Sequence, residues 1–313
     1  MTGQERILVI KLGALGDVVQ ALGPMAAIRR HHAGAHIDIL TTEPFIEFLA
    51  ASGYADQVIP HVRMKWHDIG AILAFRRQLR AGNYSRVYDL QTSSRSSCYF
   101  HLMGPGRRPE WSGIAMGCSH PHANPDRDRM HTVERQREQL AVAGIAEVPM
   151  ADLSWANADL TKFSLPARYA ILVPGGSPHR MDKWWPAGRY AHLAKRLSRG
   201  HVTPILVGTR EEIRLHSAIV SATPTARSLA GQTSLVELAA ICRGAAFALG
   251  NDTGVMHMAA AAGVPSIVLY SHASDPDLCG QRGPKVTILR RADLAAISVE
   301  EALAATPITA PDA

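Results

Sequence analysis

Three stretches of the chain combine glycine with charged residues at the start of a helical pattern, an arrangement that suits phosphate chemistry. The clearest is Gly250-Asn251-Asp252-Thr253-Gly254-Val255-Met256-His257, which follows an apolar run and opens a helix. Helix N-termini present unpaired N–H groups and about half a positive charge, and so attract phosphate. Gly254 has no Cβ and lets a diphosphate approach the backbone. Asp252 is placed as N-cap. Thr253 offers a hydroxyl, and His257, four residues further on, returns to the same helix face. An ordinary capped helix would use the same residues, so both readings stand at this point.

Lys11-Leu12-Gly13-Ala14-Leu15-Gly16-Asp17 again runs from a strand through a glycine turn into a helix. Its spacing fails the G-x-G-x-x-G dinucleotide fingerprint. Asp17 is either a helix cap or a general base facing a cleft; near a helix start its carboxylate stays ionised, as a base must. The third stretch is Pro174-Gly175-Gly176-Ser177, followed by Asp182-Lys183-Trp184-Trp185-Pro186. Lys183 precedes a helix that Pro186 starts, so its ammonium either reaches a ligand or stays on the surface.

The elements that must carry these residues alternate between short β-rich runs and helical runs, the signature of parallel α/β sheets. Strands are predicted at Ile7 to Lys11, His36 to Leu40, Gln57 to Pro60 and Val87 to Leu90. A helix is expected from Asp17, with Pro24 ending or restarting it, and another over Ile69 to Ala81. Gly104 to Met130, rich in Pro, Gly, Arg and His, reads as a long surface loop. A helix over Thr132 to Ala143 and a connection over Val148 to Pro166 follow. In the second half, strands are expected at Tyr169 to Val173, Thr203 to Val207, Ala226 to Leu229, Ala245 to Leu249, Ser266 to Tyr270 and Val286 to Leu289. Helices fall between them, one with a Ser234/Glu237 capping box, and a last one follows Ser298. The expected architecture is α/β, two Rossmann-like doubly wound domains facing a cleft, residues 1–160 and 161–313, with the last helix free to pack back on the first domain.

Of the 313 residues, 47% are hydrophobic and 19% charged, which excludes a disordered chain. No apolar run reaches the ~18 residues of a membrane span, and the short run after Arg6 reads as a strand rather than a signal peptide. The four scattered cysteines fit a reducing cytoplasm. A net charge of +6 favours anionic partners. Aromatic residues interleaved with a basic face are not found, so nucleic acid is not expected.

Taken together, the segments resemble the heptosyltransferase-type glycosyltransferases of family 9, which have the GT-B fold, over nearly the whole chain. The resemblance rests on Leu15-Gly16-Asp17, Val173-Pro174-Gly175, Lys183-Trp184-Trp185-Pro186, Val207-Gly208 with Glu211-Glu212, Ala230-Gly231-Gln232-Thr233-Ser234-Leu235, Asn251-Asp252-Thr253-Gly254 with His257 and Ala259-Ala260-Ala261, and Ser274-Asp275-Pro276. It implies an inverting, metal-independent transfer of a sugar, heptose foremost, from an ADP-sugar to a lipid-linked or other anionic glycan, with no cofactor. It implies Asp17 as catalytic base. It further implies that Lys183, Asp252, Thr253, Gly254 and His257 hold the donor diphosphate, with Gly16 and Ser177 in the same donor set. Glu212, ahead of Glu211, would meet the ribose, and Thr233 would lie near the nucleobase. This chain departs from the family in carrying Gly13-Ala14 where serines occur, and Gln91-Thr92-Ser93 where a Gln-Gly pair is common.

On the acceptor side, Arg63, Lys65, Arg107, Arg108, Arg127 and Arg129 would meet phosphates or acidic sugars, or else form a solvated loop. The expected location is cytoplasmic, with peripheral contact to the inner face of the cytoplasmic membrane suiting a basic protein. Asp126-Arg127-Asp128 and Asp275-Pro276-Asp277 spell a D-x-D pattern that binds metal in another glycosyltransferase fold; competing arginines and the proline argue against that here. His120-Pro121-His122 lacks zinc spacing and is expected on the loop surface. The rival readings are a nucleotide-sugar epimerase or hydrolase of the same fold, or a nucleotide-binding protein without catalysis.

Overall fold

A computed structural model describes residues 4–308 apart from Trp66, Pro105, Arg107 and Pro178. The chain divides into two compact units, Met1–Ala151 and Asp152–Ala313, so the boundary lies earlier than the one expected after residue 160.

In the first unit, strands β1 (Arg6–Ile10), β2 (His36–Thr41), β3 (Gln57–Pro60), β4 (Arg86–Asp89), β5 (Glu110–Gly113) and β6 (His120–Pro121) form one parallel sheet in the order β3-β2-β1-β4-β5-β6. Strand β1 sits between β2 and β4, with Ile10 opposite Leu40 on one side and Asp89 on the other. Its run Ile7 to Ile10 is wholly buried, as a central parallel strand covered on both faces must be. The second unit repeats the plan. Strands β7 (Tyr169–Val173), β8 (Thr203–Leu206), β9 (Arg227–Ser228), β10 (Phe247–Asn251), β11 (Ser266–Tyr270) and β12 (Val286–Arg290) lie in the order β12-β11-β10-β7-β8-β9. In each unit the chain therefore moves outward from its first strand, then returns to place its fourth strand on the first strand's free side. The crevice opened there, beyond the carboxyl ends of those two strands, is where such sheets bind ligands.

The helix expected from Asp17 starts at Leu15, because the Ala14 carbonyl already accepts the Val18 N–H. It ends at Gln20 and restarts as Leu22–His31. Pro24 fits in that first turn, where its missing N–H would have had no partner. The helix Ile69–Ala81 and the Ser234/Glu237 capping box match expectation. The last helix, Val299–Ala304, is capped by Ser298 and buries Val299, Ala302 and Leu303 in the second unit's own core beside Tyr190 and Leu193.

The stretch from Gly104 to Met130 is not simply a loop. It carries β5 and β6, and Trp111, opposite Val87 of β4, is fully buried. His122 is also buried, facing Glu138 at 3.6 Å, rather than on the surface. These strands lack a run of branched apolar residues; the neighbouring strand supplies their hydrogen bonds, which local composition does not reveal. The helix Ser94–Leu102 likewise lies outside the expected elements. Three of its residues are serines, and a Ser93/Ser96 capping box starts it.

One buried group makes the second unit acid-sensitive. His216, fully buried on the helix Ile213–Ala222, has Nδ1 2.9 Å from the Ser228 hydroxyl. Burial pushes its pKa down to about 4. The fold thus favours the neutral ring: the stabilisation is complete above pH 6.5 and is lost as pH falls toward 4. A His216→Asn protein should be less sensitive than the parent over that range, by up to about 3 kcal/mol. Denaturant midpoints of the two proteins at pH 7 and 4.5 would test this, and parallel losses on acidification would contradict it.

Candidate functional site

In the second unit, the loops leaving β7 and β10 are tied by one side chain. The buried amide of Asn251 donates from Nδ2 to the carbonyls of Pro174 (2.7 Å) and Gly175 (3.1 Å). Its Oδ1 accepts from the Trp185 N–H and the Tyr190 hydroxyl, both at 3.0 Å. Close approach is possible because Gly250 lacks a Cβ, which would stand 2.5 Å from that of Val173.

Asp252 is not the N-cap. Its N–H still bonds to Leu269 like that of a strand residue, so the cap position passes to Thr253 and the helix is Gly254–Ala261. The Asp252 carboxylate turns instead to the Lys183 ammonium (2.7 Å), the Ser274 hydroxyl (2.8 Å) and the Gln281 amide (3.0 Å). Burial tends to raise its pKa, but Lys183 first, then Ser274 and Gln281, carry it below the ordinary range. Two residues read separately from the sequence are therefore one ion pair. An ammonium has three N–H groups, so one contact with Asp252 leaves two for a ligand.

Glu212 is wedged between the loops after β7 and β8. Oε1 accepts from the Gly176 N–H (2.7 Å) and Oε2 from the Thr209 N–H (2.8 Å). A Cβ at Gly175 or Gly208 would fall 2.0 Å from these oxygens and displace the carboxylate from its two N–H donors. Burial raises the carboxyl's pKa against those two backbone donors. Glu211 is exposed. Gly176 also packs between Thr253 and Trp184, where a Cβ would come 3.2 Å from each. The Thr253 hydroxyl and the Trp184 indole N–H are buried there without a partner among the described residues, unused polar groups of the kind a ligand satisfies. His257 is buried one turn into the helix, Thr233 is half-buried just before the Ser234 cap, and Ser177 is exposed at the end of its loop.

At the corresponding point of the first unit, the Lys11 ammonium is buried and donates to the Leu90 carbonyl at 3.1 Å. Burial lowers its pKa against the attraction of Asp17 and Asp89. Gln91 accepts the Leu12 N–H at 2.9 Å, tying the loops after β1 and β4. Asp89 accepts from the Gln91 and Thr92 N–H groups, and burial raises its carboxyl to about 6. Thr92 has φ +45°, a left-handed conformation that glycine adopts more easily; here the Gln-Gly pair common in the family is replaced. Asp17 Oδ2 accepts the Ala14 N–H at 3.0 Å, and Gly16 lies in the same short helix. Asp17 is thus a capping residue through one oxygen. Its side chain also lines a cavity of about 220 Å³ with Lys11, Gln91, Arg127, Arg135 and Gln136.

Of the basic residues expected at an acceptor, Arg127 lines this cavity. Arg63 and Lys65 are exposed elsewhere in the unit, Arg108 lies over the Phe100 ring at 5.0 Å, and Arg129 is exposed with Asp126 at 3.7 Å. Arg107 lies outside the described residues. In the D-x-D pairs, Asp128 contacts Arg127 and Asp275 contacts Arg290. Sequence reasoning missed Arg135 and Gln136, whose positions on a helix carried no motif, and the clamping role of Asn251.

The family model for glycosyltransferase family 9 (heptosyltransferase) matches residues 72–305. The chain is 26% identical to lipopolysaccharide heptosyltransferase 1 of Salmonella typhimurium, over 89% of this chain and 92% of that protein. It is 25% identical to lipopolysaccharide heptosyltransferase 2 of Escherichia coli, over 91% and 88%. Among solved structures it is similar to E. coli ADP-heptose lps heptosyltransferase II, with TM-score 0.80, 23% identity and coverage of 96% and 97%. It is also similar to E. coli heptosyltransferase WaaC with ADP, with TM-score 0.76, 25% identity and coverage of 94% and 97%. The fold is that of these GT-B enzymes, and the chain belongs to glycosyltransferase family 9.

Proposed function

We propose that this glycosyltransferase moves heptose from an ADP-sugar to a lipopolysaccharide-type acceptor, with inversion and without a metal. The named activities of the relatives support the sugar and the acceptor, and the ADP in one similar structure supports the nucleotide. The observation that carries the donor side is the grouping, around the start of the helix Gly254–Ala261, of the Lys183–Asp252 pair and the unsatisfied Thr253 hydroxyl.

In this mechanism the free oxygen of Asp17 takes the proton of an acceptor hydroxyl as that oxygen attacks the anomeric carbon. The bond from that carbon to the diphosphate oxygen breaks, and its electron pair leaves with ADP. Lys183, Thr253 and the N–H groups at Gly254 receive the developing charge, with His257, Gly16 and Ser177 completing the donor set. Such preorganised stabilisation is often the largest catalytic contribution. Glu212 keeps lone pairs for the ribose hydroxyls, and Thr233 lies toward the base. On the acceptor side, exposed Val62 and Ile69 near Arg63 and Lys65 suit a cytoplasmic enzyme resting on an anionic inner leaflet.

Asp17→Asn retains an oxygen for the Ala14 N–H, so the helix start should survive. Turnover should fall ~10² to 10⁴-fold with ADP affinity little changed; normal turnover in the folded variant would refute the base. Lys183→Ala should weaken ADP binding and also destabilise by ~3–5 kcal/mol, because it strands the buried Asp252 carboxylate. Adding Asp252→Asn should restore stability but not ADP affinity, and titration calorimetry with thermal melts separates the two. Turnover should persist in excess chelator; a loss restored by magnesium would assign the charge stabilisation to a metal.

A further inference from the structure

The Lys183–Asp252 pair is held from behind by side chains that make no contact in the proposed transfer. Asp252 accepts at both carboxylate oxygens. Oδ2 takes the Lys183 ammonium at 2.7 Å and the Ser274 hydroxyl at 2.8 Å, while Oδ1 takes the Gln281 side-chain amide at 3.0 Å. Gln281 is buried, and its Oε1 accepts the Tyr270 hydroxyl at 2.9 Å. Tyr270 ends β11 and is fully buried. Neither Tyr270 nor Gln281 belongs to the segments that carry the family resemblance.

The direction of every hydrogen bond in this series is forced. Burial, then the charge of Asp252, pushes the Tyr270 phenol far up, so its hydroxyl keeps the proton and donates. An amide whose oxygen accepts that hydroxyl turns its nitrogen the other way. An ionised carboxylate can only accept. Burial tends to raise Asp252, but Lys183, Ser274 and Gln281 carry it below the ordinary carboxylate range. Without the phenol, the amide could present its oxygen to the carboxylate instead, a repulsive contact. The segment bearing Gln281 is packed closely on both flanks. A Cβ on Gly280 would stand 2.6 Å from the Pro276 carbonyl oxygen, and one on Gly283 2.3 Å from that of Ala260, in the helix that Thr253 caps. The amide is therefore anchored to β11 at one end and carried by a segment seated on the donor-site helix.

We propose that Gln281 and Tyr270 are positioning residues of the donor site: the phenol fixes the amide, the amide fixes Asp252, and Asp252 aims the Lys183 ammonium at the terminal phosphate of a nucleoside diphosphate. This rests on the donor reading above and adds the means by which its charge is aimed. A lysine ammonium sits on a flexible four-carbon stem. It stays aimed only while the carboxylate that holds it cannot turn.

The test is calorimetric titration of the full chain with ADP and with AMP, which lacks the terminal phosphate. Gln281→Leu removes the amide at similar volume; it should weaken ADP about tenfold and leave AMP nearly unchanged. Gln281→Glu keeps an acceptor for Tyr270 but offers Asp252 no N–H, and should weaken ADP at least as much. Tyr270→Phe keeps the ring and should weaken ADP about threefold. A purely structural role would lower the melting temperature and change the two nucleotides alike, or neither. That result, or parent-level ADP affinity in folded Gln281→Leu and Gln281→Glu, overturns the proposal while leaving the donor reading intact. ADP that fails to bind the parent protein overturns the donor reading and this proposal with it.

Discussion

The second unit's site depends on the buried amide of Asn251. A side chain with two donors and two acceptor lone pairs is matched to two carbonyls, one backbone N–H and one hydroxyl. The carbonyls belong to the loop after β7, and the N–H belongs to Trp185, two residues beyond Lys183. Asn251 itself ends β10 and is followed by Asp252 and Thr253. One residue therefore fixes the glycine loop, the lysine and the helix start together. Any loosening would leave several buried polar groups unsatisfied, each costing about 1–3 kcal/mol. That penalty keeps the geometry rigid before any ligand arrives.

The first unit solves the same problem with a different amide. There Gln91, after β4, accepts the Leu12 N–H of the loop after β1. Both units share one strand order, so both open a crevice between first and fourth strands, and in each an amide at or just beyond the end of the fourth strand ties the two loops. What differs is charge. The second unit presents a paired lysine and a helix N-terminus, whereas the first presents Asp17 among Lys11, Arg127 and Arg135. A duplicated topology thus supplies two crevices of different charge, one with a paired lysine beside a helix start and the other with a carboxylate among basic side chains.

Much of this was legible in the sequence because local and global signals agree. Glycine turns after apolar runs point to Asp17, Asp252 and Thr253, and Lys183 stands out just ahead of the helix that Pro186 starts; the buried strands β1, β7, β10 and β11 announce themselves as continuous apolar runs. What stayed hidden was set by tertiary pairing. β5 and β6 take their hydrogen bonds from neighbours and show no alternating pattern. Asp252 looks like a cap in sequence, but the strand runs two residues further than expected, to Asn251, which moves the cap to Thr253 and frees the Asp252 carboxylate for Lys183. Arg135 and Gln136 lie on a polar helix whose periodicity reveals one face, not which loop will cover it.

The Lys183–Asp252 pair also bears on how charge would be handled during transfer. The Asp252 carboxylate, 2.7 Å from the Lys183 ammonium, holds that side chain in place. The pair is neutral overall, so its pull on a donor already bound as a diester is moderate. As the glycosidic bond lengthens, negative charge concentrates on the departing phosphate oxygen. In the proposed transfer, the two N–H groups of Lys183 not facing Asp252, together with the fixed dipoles at Thr253 and Gly254, would then gain most. An arrangement that strengthens between ground and transition state raises the rate, whereas an unpaired cation gripping the donor equally in both would only tighten binding.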